Sequence, residues 1–329
     1  MKKFLALAVS AALLAVLAAG CTQEEAALTT VRLNEVTHSV FYAPFYAALE
    51  LGFFEEEGLD IELANGGGAD KVMTAVLAGQ ADVGLAGPES CIYVYLEGRE
   101  DYPRVFAQLT KRDGSFIVGR SDEAFSWENL RGKTILGGRK GGVPEMTLEY
   151  VMRQNGIEPN VDAVVDTSVQ FNMMAGAFTG GNGDYVALFE PTATQVELEG
   201  QGYVLTSLGQ ESGEIPYTAF FASQSYMEEN PDVIQGVTDA VARGQQWVRE
   251  HTAAEIAEAI APQFPDTDME VLEAVCQRHL DIDAWNATPV MAEEALERLM
   301  DVMESAGELS ARVPFEDLVD NSFAESASW

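Results

Sequence analysis

Two glutamates stand beside prolines at the ends of short apolar runs: Pro88-Glu89 after Val83-Gly84-Leu85-Ala86, and Glu190-Pro191 after Val186-Ala187-Leu188-Phe189. A carboxylate at the mouth of a strand can accept hydrogen bonds from an amino group or a ring N–H, and charge makes such bonds strong. The same group repels a sulfonate or nitrate in a dry cleft unless a cation neutralises it. Arg139 and Lys140 are placed to serve an anionic ligand or to pair with Glu190. They precede Gly141-Gly142-Val143-Pro144, which leads into a helical segment whose free amides and positive dipole end suit an acceptor group. That loop lacks the closing Gly-Lys-Ser/Thr of a P-loop and is no nucleotide signal. Asn65-Gly66-Gly67-Gly68 is a second loop where backbone can approach a ligand, since glycine tolerates positive φ. His38, Phe41 and Tyr42 offer an aromatic wall suited to a flat ring. The candidate ligand-binding residues are therefore His38, Phe41, Tyr42, Asn65, Gly67, Glu89, Ser90, Lys140, Gly141, Gly142, Phe189 and Glu190.

These loops follow strands. Val31 to Val36 alternates in polarity, as a strand does. Pro44 suits the start of a helix running to about Leu51, with Gly52 as its stop. A second strand, Leu59 to Leu63, follows Gly58, and Asp70 to Leu77 reads as a helix closed by Gly79. Further short strands are expected at 81–86, 105–109, 116–119 and 132–136. Val143, Met146, Thr147, Tyr150, Val151 and Gln154 share one helical face. From Asn230-Pro231 onward the pattern is mostly helical. Alternating strands and helices predict an α/β architecture with parallel-rich sheets, and in such sheets ligands sit beyond the carboxyl ends of the strands. Residues 72–89 and 173–191 also correspond: each reads helix, glycine stop, Asp-led strand, then a Glu/Pro loop opening a helix. Two similarly built lobes facing across a cleft would produce that.

The formal charge of −34 excludes nucleic acid and anionic lipid surfaces as partners, and 47% hydrophobic residues exclude disorder. Cys91 and Cys276 form no C-x-x-C pair, and are expected as two buried thiols, with a disulfide as the alternative. His38, His251 and His279 have no metal-ligand spacing, so no metal or cofactor is expected. No G-x-S-x-G, H-E-x-x-H or Ser/His/Asp spacing marks a catalytic residue. The N-terminus has Lys2 and Lys3, then an apolar run from Phe4 to Leu17 that is too short to span a membrane but suits a signal peptide. It ends at Leu17-Ala18-Ala19-Gly20-Cys21, which resembles a bacterial lipoprotein cleavage box. That resemblance implies a leader over 1–20, acyl chains on Cys21, a polar tether over 21–29 and anchoring outside the cell membrane.

The run Tyr42-Ala43-Pro44-Phe45-Tyr46-Ala47-Ala48-Leu49-Glu50-Leu51-Gly52-Phe53-Phe54-Glu55-Glu56-Glu57-Gly58-Leu59-Asp60, with Ala78-Gly79-Gln80-Ala81-Asp82-Val83-Gly84 and Phe189-Glu190-Pro191, resembles a family. It is the substrate-binding proteins of ABC importers in the nitrate/sulfonate/taurine and thiamine-pyrimidine-precursor (NMT1/THI5-like) group. The resemblance implies the two-lobe periplasmic-binding-protein fold of type II, a small-molecule ligand, a membrane permease as partner, a monomer, and hinge closure on the ligand. Crossings are expected near 110–115 and 218–222, with lobe one at 30–112 plus 222–329 and lobe two at 113–221. Glu89, Glu190 and the aromatic residues favour a flat nitrogen heterocycle such as an aminopyrimidine; a sulfonate served by Lys140 and Arg139 is the alternative. From other classes, a ligand sensor would use the same closure. A pyrimidine-synthase-like enzyme of this fold would need a cysteine-rich motif that is absent here.

Overall fold

The computed structural model describes residues 27–328, so the leader and Cys21 lie outside the described residues. Ten strands form two five-stranded sheets. In chain order they are β1 (Thr29–Glu35), β2 (Leu59–Asn65), β3 (Val83–Ala86), β4 (Pro103–Thr110), β5 (Ser115–Gly119), β6 (Thr134–Leu136), β7 (Val164–Asp166), β8 (Tyr185–Phe189), β9 (Tyr203–Ser207) and β10 (Thr218–Ser223). The sheet orders are β2-β1-β3-β10-β4 and β7-β6-β8-β5-β9. Each is mixed, and in each only one strand runs against the other four: β10 in the first sheet, β5 in the second. The reversed strands are those laid down just after the chain passes between sheets, and each is wedged beside the central parallel strand.

The two sheets have the same plan. The helix Ala69–Leu77, β3 and the helix Glu89–Leu96 correspond to the helix Met174–Thr179, β8 and the helix Thr192–Leu198. The correspondence seen between residues 72–89 and 173–191 is thus a shared fold element. The chain leaves the first sheet over 111–114 and returns over 213–217. The return precedes the expected 218–222, because Thr218–Ser223 is itself a strand, pairing antiparallel with both β3 and β4.

Burial follows the sequence pattern. In β1, Val31, Leu33 and Glu35 point inward and their neighbours outward, whereas β3, at the centre of the sheet, is buried throughout. Leu33 lies beside Leu63 on one flank and Val83 on the other. The helix Ala43–Glu50 has Pro44 at its second position, and Gly52 closes it in the left-handed conformation at φ 78°. The helix Pro231–Glu250 crosses it at Gly244, where an added Cβ would lie 2.1 Å from the Pro44 carbonyl oxygen. Only glycine permits that approach.

The carboxyl-terminal helices Ala253–Ile260 and Met269–Asp281 pack on the first-sheet body. The helix Glu293–Ser305 reaches the helix Val143–Gln154 of the other body, where Arg153 Nη1 donates to Ser305 Oγ at 3.2 Å. On Val143–Gln154, Val143, Met146, Thr147 and Val151 are buried as predicted, while Gln154 is exposed. Cys91 and Cys276 are free, buried thiols. Among the described residues no helix is long and apolar enough to cross a membrane, and no side-chain group could hold a metal ion.

Candidate functional site

A cavity of about 90 Å³ opens between the two sheets. Segments following β1, β2 and β3 line it on one side, as Val36 and Thr37, Gly68 and Ala69, and Gly87 and Glu89; on the other side are Gly138, Arg139, Gly142, Val143 and Pro144 after β6, and Phe189 at the end of β8. Tyr217 and Thr218, at the return of the chain, complete it. All five of those strands are parallel within their own sheets, so the cavity stands at their carboxyl ends, where α/β sheets bind ligands.

Four aromatic side chains, Tyr42, Phe171, Phe189 and Tyr217, contribute to its walls. Phe189 lies 5.4 Å from Phe171 and 6.0 Å from Tyr217, centroid to centroid. Tyr42 faces Thr218 and is buried. Phe41 is behind this wall and does not line it: its ring packs on Phe189 and Tyr217 at 5.8 Å each. The Tyr217 hydroxyl lies beside Asp113 without a hydrogen bond of good geometry.

Glu89 is the polar centre. Its side chain is 2% exposed, and Oε2 has no hydrogen-bond partner among the described residues. Burial pushes its carboxyl up to about 7, opposed by the charge of Arg139 and by the amides of Glu89, Ser90 and Val143. It stands in the first turn of the helix Glu89–Leu96, and its neighbour Val143 opens the helix Val143–Gln154. Two positive helix ends therefore converge on one carboxyl. The carboxylate folds back over Gly87, where a Cβ would lie 2.0 Å from Oε2. Arg139 supplies the opposite charge to the cavity. Its closest acidic contact is to Asp70, at 3.8 Å from Nε.

The other expected site residues are placed elsewhere. Glu190 is buried at 1% exposure, but its carboxylate is already satisfied: Thr194 N and Oγ1 both donate to it at 2.9 Å, and Arg278 forms an ion pair with it. It does not enter the cavity, because the turn opening the helix Thr192–Leu198 curls it back onto that helix. His38 ties the end of β1 to a distant turn, with Nδ1 2.8 Å from Glu35 Oε1 and Nε2 2.8 Å from the Gln263 carbonyl. The Glu35 contact raises its pKa. Lys140 is 70% exposed and pairs with Glu308 at 3.3 Å. Ser90 donates to the Gly87 carbonyl at 2.7 Å, Asn65 accepts from the Gly67 amide at 2.9 Å, and Gly141 donates to Glu145 at 3.1 Å. Neither Ser90, Asn65, Gly67 nor Gly141 lines the cavity; their neighbours Gly87, Gly68 and Gly142 do. Of the twelve candidates, Tyr42, Glu89, Gly142 and Phe189 line it. Each of these loops contributes at least one residue to the cavity border, and which side chain turns inward depends on the local turn. Phe171, Tyr217 and Thr218 carried no sequence signal, because the fold alone brings them near.

The family described as NMT1/THI5 like matches residues 40–254. A curated protein of Bacillus subtilis (strain 168), described as a binding protein and named YtlA, is 44% identical over 311 residues, which is 94% of this chain and 93% of that protein. Among solved structures, the alkanesulfonate-binding protein SsuA of Xanthomonas axonopodis pv. citri, bound to MOPS, is 18% identical with TM-score 0.72, covering 90% of this chain and 100% of that one. The ligand-binding component of an ABC-type import system from Staphylococcus aureus, with zinc bound, is 14% identical with TM-score 0.74, covering 91% of this chain and 99% of that one. With the two-sheet fold, the cavity between its halves and these matches together, the chain belongs to the NMT1/THI5-like family.

Proposed function

We propose that this protein captures a small solute in the cavity around Glu89 and delivers it to the permease of an ABC importer. The relatives support this reading: one is described as a binding protein, one as an alkanesulfonate-binding protein and one as the ligand-binding component of an ABC-type import system. Capture proceeds by lobe closure, with the lobes dividing at 111–114 and 213–217. The protein acts as a monomer outside the cell membrane, tethered through an acylated Cys21, and carries out no catalysis.

The ligand is a flat nitrogen heterocycle such as an aminopyrimidine. The observation that carries this is the unpartnered Oε2 of Glu89 inside an aromatic-walled cavity. An unmet buried acceptor is costly, and a ligand N–H meets it. The aromatic rings Tyr42, Phe171, Phe189 and Tyr217 supply stacking faces. Glu89, and not Glu190, is the acceptor, because Glu190 has no oxygen to spare. A sulfonate is the second reading, favoured by the lightly paired guanidinium of Arg139 at the same cavity.

Thermal unfolding against a panel of aminopyrimidines, other heterocycles, sulfonates and amines tests the assignment. A ligand at 100 times its dissociation constant adds ~2.7 kcal/mol of stability. An aminopyrimidine is expected to raise the midpoint in the wild type and to fail in Glu89→Gln. A shift produced by sulfonates alone, lost in Arg139→Met, would move the centre of the site to Arg139 and the amides of Gly142 and Val143.

A further inference from the structure

Glu190 sits on the second-sheet body and Arg278 on the first. The helix Met269–Asp281 carrying Arg278 packs on the helix Ala253–Ile260, which packs on the helix Ala43–Glu50. From there Arg278 reaches across to Glu190, to Thr194 Oγ1 at 3.0 Å, to Glu197 at 3.5 Å and over the ring of Phe116 at 5.5 Å. A second contact joins the bodies at the same point: Ser39 Oγ, from the loop after β1, donates to the Glu190 carbonyl at 2.7 Å. No Glu190 or Arg278 atom is needed by the cavity, yet Phe189, the residue before Glu190, forms part of its wall.

We infer that Glu190 and Arg278 form a latch that stabilises the closed arrangement of the two lobes and seats Phe189 against the cavity. Glu190 is pre-arranged in its own lobe: the Thr194 amide and hydroxyl hold it, so only Arg278 loses side-chain entropy when the pair forms. Arg278 presents a planar fork that bridges Glu190 and Glu197 together, a geometry that lysine cannot reproduce. The carboxylate is fully shielded in the closed arrangement, so the attraction is little screened there, whereas opening exposes both charges to water and salt. The latch residues do not touch the solute. They are positioning residues that set how much of the protein is already closed when a ligand arrives, and a pre-closed population raises apparent affinity by the fraction that is competent.

The test needs no ligand and is independent of the solute's identity. Nitroxide labels are placed on cysteines at Val161 and Met269, which are 80% and 47% exposed on opposite bodies. Cys21 is replaced by serine, and the buried Cys91 and Cys276 are left in place. Co-purified solute is removed by unfolding and refolding, and the distance distribution is measured by double electron–electron resonance. The wild type is expected to populate a short-distance state alongside an open one. Arg278→Met should shift the closed-to-open ratio at least about tenfold toward open, Glu190→Gln similarly, and Arg278→Lys by an intermediate amount. The double variant should add little to either single one. Circular dichroism checks that each variant is folded, and should Arg278→Met not fold, Arg278→Lys and Glu190→Gln decide. An unchanged closed-to-open ratio in folded variants, or a wild type with no short-distance state, would overturn the latch.

Discussion

At the residue scale, Glu89 couples binding to stability. Its folded-state pKa is about 7, against 4.5 for an ordinary glutamate, so between those values the folded protein keeps a proton that the unfolded chain has lost. Stability therefore falls as pH rises through that window. Asp113, also fully buried and raised to about 6, and Glu145, raised to about 7, act in the same direction. The unliganded protein should accordingly melt higher near pH 5.5 than near pH 7.5, as read by scanning calorimetry. Glu89→Gln should raise the midpoint near pH 7.5 and flatten that slope, since the amide has no charge to bury. The same change should weaken a ligand that donates an N–H to Glu89 by ~10–100-fold, the worth of a charge-assisted hydrogen bond at ~1.5–3 kcal/mol. A variant that is both more stable and unable to bind would mark Glu89 as kept for function. An equal loss of stability and binding would count against it.

At the scale of elements, two glycines carry more weight than their neighbours. Gly87 allows the carboxylate of Glu89 to fold back, and Gly87→Ala places a Cβ 2.0 Å from Oε2. The carboxylate must move, so binding should fall about as far as in Glu89→Gln, with no change of net charge; calorimetric titration compares the two variants directly. Gly244→Ala instead sets a Cβ against backbone, 2.1 Å from the Pro44 oxygen, where no flexible side chain can yield. The helices Pro231–Glu250 and Ala43–Glu50 must separate, and overpacking of this kind costs ~1–3 kcal/mol or more. Urea unfolding should show a lower midpoint. An unchanged midpoint would mean that the two helices are farther apart in solution.

At the scale of the whole molecule, a net charge of −34 is spread over a chain whose described residues nonetheless bury three hydrophobic clusters. Self-repulsion opposes compactness, and salt screens it over a distance of ~10 Å at 0.1 M. Raising sodium chloride from ~0.02 to ~0.5 M should therefore raise the melting midpoint of the unliganded protein. Calorimetry at fixed pH measures it, and a falling midpoint would show that ion pairs such as Arg32–Asp82 and Arg278–Glu190 outweigh the repulsion. The latch belongs to this scale as well, since it links bodies that the chain joins only at 111–114 and 213–217.

The strands β7, β9 and β10 were not legible in the sequence, whereas β1 to β6 and β8, the glycine stops and the repeat between the two halves were. They are local properties: periodicity, capping and turn chemistry act within a few residues. Which side chains of the loops bordering the cavity face the ligand was decided by the tertiary structure. Glu89 and Glu190 occupy corresponding places in the two halves, and only the fold leaves one carboxylate unmet beside an aromatic wall and gives the other to Arg278, 88 residues away. Arg139 and Lys140 are adjacent in sequence, and the turn sends one into the cavity and the other to Glu308. Tyr217, Thr218 and Phe171 reach the site through sheet pairing and packing alone. Contacts between distant segments depend on where the whole backbone places them, and no short window of sequence contains that information.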